Sequence, residues 1–319
     1  MRRAVLPWLI ALGLALLIGA GAVVALNATL FGAGSFVRVY LDALARDDVS
    51  DALTLPGVRT TGQDAALLRD GTLTGLTDIR QTGDEDRNGT HVITVEWTSP
   101  EGSGTTRFQV ERIGTRFGLF PEWGFAVSPI ATVSLTVQND PRFTVNGVDR
   151  VSGARADTPV AYAVLVPGAY SFAHTSRYLT ARPDVVLADT VSQTVRATVD
   201  TQANTAFLAA VSSLVQDQLK GCAAQTVLFP TGCAFGESVE NRVSSTPRWS
   251  IVAEPRLAIV PGDTFGTWAI PSTPGTAHLT VTVTSLFDGT TSQFDQDVPF
   301  QVQGDIELGA HDAITVTLH

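Results

Sequence analysis

The chain opens with an unbroken apolar run from Ala4 to Leu26, preceded only by Met1, Arg2 and Arg3. A helix needs about 20 apolar residues to cross a bilayer, so the pattern predicts a single transmembrane segment over 4–26. Arg2 and Arg3 flank one end and Arg38 is the next basic residue, which predicts a cytoplasmic tip and an extracytoplasmic bulk. Trp8 suits the aromatic belt at the inner face. The other reading of the run is a cleaved secretory signal, for which Ala20-Gly21-Ala22 is the conveniently placed small-residue site. No second stretch reaches spanning length.

Beyond this run the period of apolar positions changes several times. Val37, Tyr40, Leu41 and Leu44 recur at helical spacing after Ser35, a candidate N-cap, and Asp47-Asp48 stop them. Val49–Leu55 and Gln63–Leu68 read as shorter helical pieces. From Thr77 the period becomes two. Thr77–Gln81, His91–Thr98, Thr105–Ile113 and Phe117–Phe120 are predicted strands, with a solvated acidic loop at Asp84-Glu85-Asp86. From Ala126 to Val199 only strand patterns occur. Val145-Asn146-Gly147-Val148 marks a hairpin and Pro167-Gly168 separates two strands. Helix returns after Asn204 with the stripe Phe207, Leu208, Val211, Leu214, Val215 and Leu219, stopped at Gly221. Six further strands run from Arg248 to Leu318, with Asp288-Gly289 as a turn.

The resulting plan is a cytoplasmic tip (1–3), an anchor (4–26), an α+β domain (27–125), a small all-β module (126–199) and a C-terminal α+β domain (200–319). The segment from His91 through Phe108 resembles that from His278 through Phe294, each a Thr/Val hairpin following a helix, as a diverged duplication would leave it.

Composition narrows the function. A net charge of −10 with a single lysine, Lys220, excludes a basic nucleic-acid footprint. One methionine and abundant Ala, Val, Thr and Gly suit a GC-rich bacterial source. The two cysteines, Cys222 and Cys233, enclose a segment with the turn Pro230-Thr231-Gly232, and beyond a membrane they read as a structural disulfide. Ten intervening residues do not fit a redox pair, and no further zinc ligands stand nearby.

The helix Phe36–Asp48 and the closing Arg116–Trp123 resemble exported bacterial proteins with a cone of the nuclear transport factor 2/cystatin-like type. Phe143-Thr-Val-Asn146-Gly147 through Pro167-Gly168-Ala169-Tyr170 is similar to the small β modules of TcaA-type membrane proteins. The resemblance covers about residues 1–175 and implies a membrane-anchored cell-envelope protein without catalytic residues.

No nucleophile elbow, phosphate loop or zinc-protease motif occurs, and the five histidines are dispersed. No cofactor, no metal and no enzymatic activity are expected. A tentative pocket groups His91, Trp97 and Tyr40, since a cone encloses apolar space and His91 shares its strand face with Ile93, Val95 and Trp97. The leading expectation is a non-catalytic envelope binding, interaction or sensor module. Its partners would be the bilayer through residues 4–26 and another envelope protein or a cell-wall polymer. The alternative is a small-molecule-binding or weakly catalytic cone.

Overall fold

A computed structural model describes residues 2–309 and 312–319, with side chains described from residue 12 onward except Ala28. In chain order the elements are α1 (Arg2–Thr29), α2 (Ala33–Ala45), α3 (Val49–Thr54), β1 (Thr77–Arg87), β2 (Thr90–Ser99), β3 (Gly102–Arg116), β4 (Phe120–Phe125), β5 (Ile130–Gln138), β6 (Arg142–Val145) and β7 (Val148–Val151). There follow β8 (Val160–Leu165), β9 (Gly168–Thr175), β10 (Leu179–Ala188), β11 (Thr194–Asp200), β12 (Gln202–Ala203), α4 (Thr205–Ala223) and β13 (Arg242–Val243). The chain ends with β14 (Arg248–Ala253), β15 (Val260–Pro261), β16 (Thr267–Thr284), β17 (Thr291–Leu308) and β18 (Ile314–Leu318).

The fold is mostly β, and among the described residues no helix is long and apolar enough to cross a membrane. This overturns the expected fold class, a transmembrane helix followed by α+β and all-β extracytoplasmic domains. It overturns the single-pass cell-membrane localisation as well. The described side chains of α1 begin at Leu12. The side chains of Arg2, Arg3 and Trp8, on which the orientation rested, lie outside the described ones, as does His311.

Among the described residues four sheets occur, three of them antiparallel and one mixed. The first has the order β1-β2-β3-β4, with α2 packed on one face. The next two are β12-β10-β9-β6-β7 and β11-β5-β8, which meet through Phe143 and Tyr162 at 6.3 Å; β11 and β5 are the parallel pair. The last sheet is built on the long β16–β17 hairpin, flanked by β13, β14, β15 and β18. Strict alternation explains the burial: Val133, Leu135 and Val137 face inward from β5 while Thr132, Ser134 and Thr136 do not.

Local chemistry accounts for the element ends. Asn204 caps α4 by accepting from the Ala206 and Phe207 amides, as its position in the sequence predicts. Asn146 and Gly147 both take positive φ, the two-residue turn that joins β6 to β7. Other elements depart from the sequence pattern. Gln63–Leu68 forms no helix, because Asp64 pairs its backbone with Ala161 and Ala163 beside β8. The acidic Asp84-Glu85-Asp86 lies within β1, and the turn falls instead at Asn88-Gly89. β16 continues past Pro271 by a bulge between Ile270 and Thr273, and Pro274 sits in register opposite Gln301.

Buried residues fall into two clusters. One runs from Ala33 to Val199 and includes α2, the first sheet and both central sheets, so it is continuous across residues 125–126. The other joins α4 to the last sheet and includes Tyr178 and Leu179. Tyr40, fully buried on α2, bridges the first sheet to the central ones. Its ring packs edge-on to Phe108 and Phe125, and its hydroxyl donates to the Val166 carbonyl at 2.7 Å and the Pro129 carbonyl at 3.3 Å. Burial holds the phenol well above its ordinary pKa. Gly57, at φ +88, brings the Pro56 carbonyl to the Phe125 amide; a Cβ there would meet the Phe125 backbone at 2.2 Å.

Tyr40→Phe preserves the ring but removes the donor to the buried Val166 carbonyl, while the Pro129 carbonyl keeps the Val166 amide. The expected cost is about 1–3 kcal/mol. It is read as a lower urea midpoint at unchanged denaturant slope, and an unshifted midpoint would show that the hydroxyl contributes nothing.

Candidate functional site

An apolar cleft of about 540 Å³ opens where the end of α1, the outer side of α2, the segment after α3 and the β3–β4 hairpin meet. Phe31, Phe36, Val39, Leu55, Ile113 and Trp123 form its walls. Three contacts hold these pieces together. The Trp123 indole N–H donates to the Phe31 carbonyl at 2.8 Å, Phe31 stacks on Phe120 at 4.4 Å, and the Asn27 side chain donates to the Leu119 carbonyl at 3.1 Å. The walls are therefore preformed. At the rim, Arg116 donates from Nε to Glu122 at 3.4 Å, with both side chains substantially exposed. Leu30, Val39, Ile113 and Leu119 stay more than half exposed around the opening, and Phe117 at the hairpin tip is 86% exposed. The volume lies within the about 300–1,000 Å³ of ordinary ligand sites, and apolar walls with few polar groups are their usual makeup.

The three residues of the tentative pocket do not converge on this cleft. Tyr40 is core, as described. Trp97 is buried and donates its indole N–H to Thr106 Oγ1, which in turn donates to the Asp189 carbonyl. It borders a polar furrow lined by Asp78, Arg80 and Glu96. His91 stands at the solvent rim of β2, with Nδ1 2.7 Å from Asp84 Oδ1 and its ring edge-on to Trp123 at 4.9 Å. A carboxylate is thus in reach of His91, but not inside a cavity. Between α2 and the sheet, where a cone would hold ligand, the space is about 10 Å³, room for no more than one water.

Val39 and Ile113 escape the sequence pattern because each lies off the buried face of its element, whereas Phe36, Leu55 and Trp123 pack partly on the core. Val39 falls outside the Val37, Tyr40, Leu41 and Leu44 stripe, and Ile113 falls outside the Thr106, Phe108 and Val110 face. Apolar side chains out of phase with the core were the available signal.

Other titratable clusters lie elsewhere. His278 on β16 is clasped by two carboxylates of β17, Nδ1 at 2.7 Å from Asp297 and Nε2 against Asp295. Hydrogen bonding to Asp297 and then Asp295 raises its pKa. Asp140 receives Nε and Nη2 of Arg142 at 2.8 Å each; burial alone would raise its pKa, but these bonds outweigh it and lower it. Burial lowers the pKa of His174 nearby. Among the described residues no cluster of three or more metal-binding side chains is arranged to hold an ion.

Cys222 and Cys233 form a disulfide with a Cα–Cα distance of 5.7 Å. The loop between them is clasped internally: the Thr231 amide donates to Gln225 Oε1, and the Gln225 side-chain amide donates back to the Thr231 carbonyl. Trp249 fixes the same loop to the sheet by donating to the Val227 carbonyl at 2.8 Å.

No family model matches the chain, and no curated protein or solved structure shows significant similarity to it.

Two measurements follow. Replacing both cysteines by serine should cost about 3 kcal/mol in the chain-entropy model, read as a lower urea midpoint; an unchanged midpoint would mean that Trp249 and Gln225 alone hold the loop. In a proton NMR titration the His278 ring should titrate above a free histidine, and Asp297→Asn should lower it. Because the folded value is the higher one, the stabilisation is complete below the unfolded-state pKa. It is lost as pH rises through the folded-state value. Equal titration of both proteins would show that Asp297 does not hold the ring.

Proposed function

We propose that the chain is a non-catalytic binding module whose apolar cleft receives an apolar side chain or short segment of a protein partner. The observation that carries this reading is the preformed cleft itself, walled by Phe31, Phe36, Val39, Leu55, Ile113 and Trp123 with one ion pair at its rim. Fully burying a large apolar side chain contributes about 1.5–3 kcal/mol, so such walls reward apolar groups and not the hydroxyls of a polysaccharide. A protein partner is thus favoured over a cell-wall polymer. A weakly catalytic cone fits less well, since the half-buried His91 and its carboxylate lie at the sheet rim outside any cavity between α2 and the sheet, where the space is filled.

The cleft can be read through Trp123. A dipeptide of leucine and bromophenylalanine should quench part of the tryptophan fluorescence by the heavy-atom effect. That part should vanish in Trp123→Phe, and Val39→Asp should weaken the binding about tenfold or more, the equivalent of one buried apolar contact. Equal quenching in all three proteins would sink the reading.

A further inference from the structure

The counterpart of this cleft lies at the far end of the β16–β17 hairpin. There the turn Ser285–Thr290 holds two large apolar side chains in water: Leu286 is 74% exposed and Phe287 is 99% exposed. The turn around them is tightly bonded. The Ser285 amide donates to the Thr290 carbonyl at 2.8 Å and the Gly289 amide to the Ser285 carbonyl at 3.1 Å. Asp288 Oδ1 accepts from both the amide and the hydroxyl of Thr290, at 3.1 and 2.8 Å. Ser285 Oγ accepts from the amides of Phe287 and Asp288. Gly289 supplies the positive φ, +73, that the turn requires. The backbone is therefore ordered before any contact forms, which removes much of the entropic cost of binding. An ordered turn that exposes a whole phenylalanine is a shape for insertion into a pocket.

We propose that the Leu286–Phe287 tip of one copy docks in the Phe31–Phe36–Trp123 cleft of a second copy, making a head-to-tail contact between identical chains. The proposal rests on reading the cleft as a binding site and names its occupant. Three observations support a second copy. Both halves of the contact are apolar and lie on different parts of one chain. The cleft, at about 540 Å³, has room for the two side chains together. The charges also correspond: the tip carries the Asp288 carboxylate, held in its ionised form by the Thr290 bonds, and the rim carries Arg116. Arg116 spends only Nε on Glu122, and its Nη groups have no protein partner among the described residues. The contact is heterologous, with different surfaces meeting, so it either closes into a ring or mutual pair or propagates. It is also small and is opposed by the net charge of −10, so association should be weak and should depend on concentration and salt.

Sedimentation velocity on the full chain tests this. The weight-average mass should rise with concentration. Phe287→Asp in the tip and Val39→Asp in the cleft should each weaken association about tenfold or more, the loss expected for one buried apolar anchor. The deciding sample is an equimolar mixture of the two variants. Each supplies the half the other lacks, so the mixture should form dimers while neither variant does so alone. Association of the tip variant equal to wild type would overturn the proposal and place self-association elsewhere, for instance on the exposed leucines of α1. A wild-type chain that stays monomeric throughout would overturn it too. If the brominated dipeptide still quenches Trp123 in that case, the cleft is a binding site for another partner and only its occupant has been misassigned.

Discussion

The hydroxyl of Tyr40 is the contact on which the geometry of the first half depends. Two carbonyls, Val166 and Pro129, converge on it from the turn between β8 and β9 and from the entry to β5. The Pro129 carbonyl also accepts from the Val166 amide at 3.0 Å, but the Val166 carbonyl relies on Tyr40, and an unpaired buried carbonyl is costly. The bond therefore specifies where α2 sits on the central sheets, and α2 in turn presents Phe36 and Val39 to the cleft. Similar side-chain bonds repeat along the seam. Asn146 donates to the carbonyls of Thr72 and Ala169 and accepts from the Ser171 amide, while Thr74 donates to the Ala169 carbonyl. Hydrophobic burial brings the pieces together without direction, and these bonds choose one relative placement.

Much of the fold was legible in the chain. The α2 stripe, the Asn204 cap, the Asn146-Gly147 turn and most strand positions follow from spacing and turn chemistry, because each is decided within a few residues. The disulfide reading drew on spacing and the intervening turn, together with a place beyond a membrane that the fold does not support. What escaped was decided at long range. Asp64 looks like part of a short helix, yet its backbone is taken by β8, about a hundred residues away along the chain. The two prolines inside β16 look like breaks, yet a bulge carries the strand past Pro271 and Pro274 is paired in register with Gln301.

The candidate site was less legible than the fold. His91, Trp97 and Tyr40 were grouped because they share one expected interior, but that interior is filled. The open space lies on the other side of α2, lined in part by Val39 and Ile113, which periodicity assigns to solvent. A pattern argument finds residues that agree with the core. A binding surface is made from those that disagree with it.

The β16–β17 hairpin, at 18 residues per strand, is about 60 Å long at the usual rise of a strand. One end is pinned where the Gly266 amide donates to the Asn139 carbonyl and Phe265 packs on the first core. The other end is the exposed turn at Leu286 and Phe287. Paired residue by residue over nearly its whole length, the hairpin acts as a ruler. It fixes how far that turn stands from the body of the molecule, and an insertion or deletion of two residue pairs would change that reach by about 6.6 Å while keeping every side chain on its face.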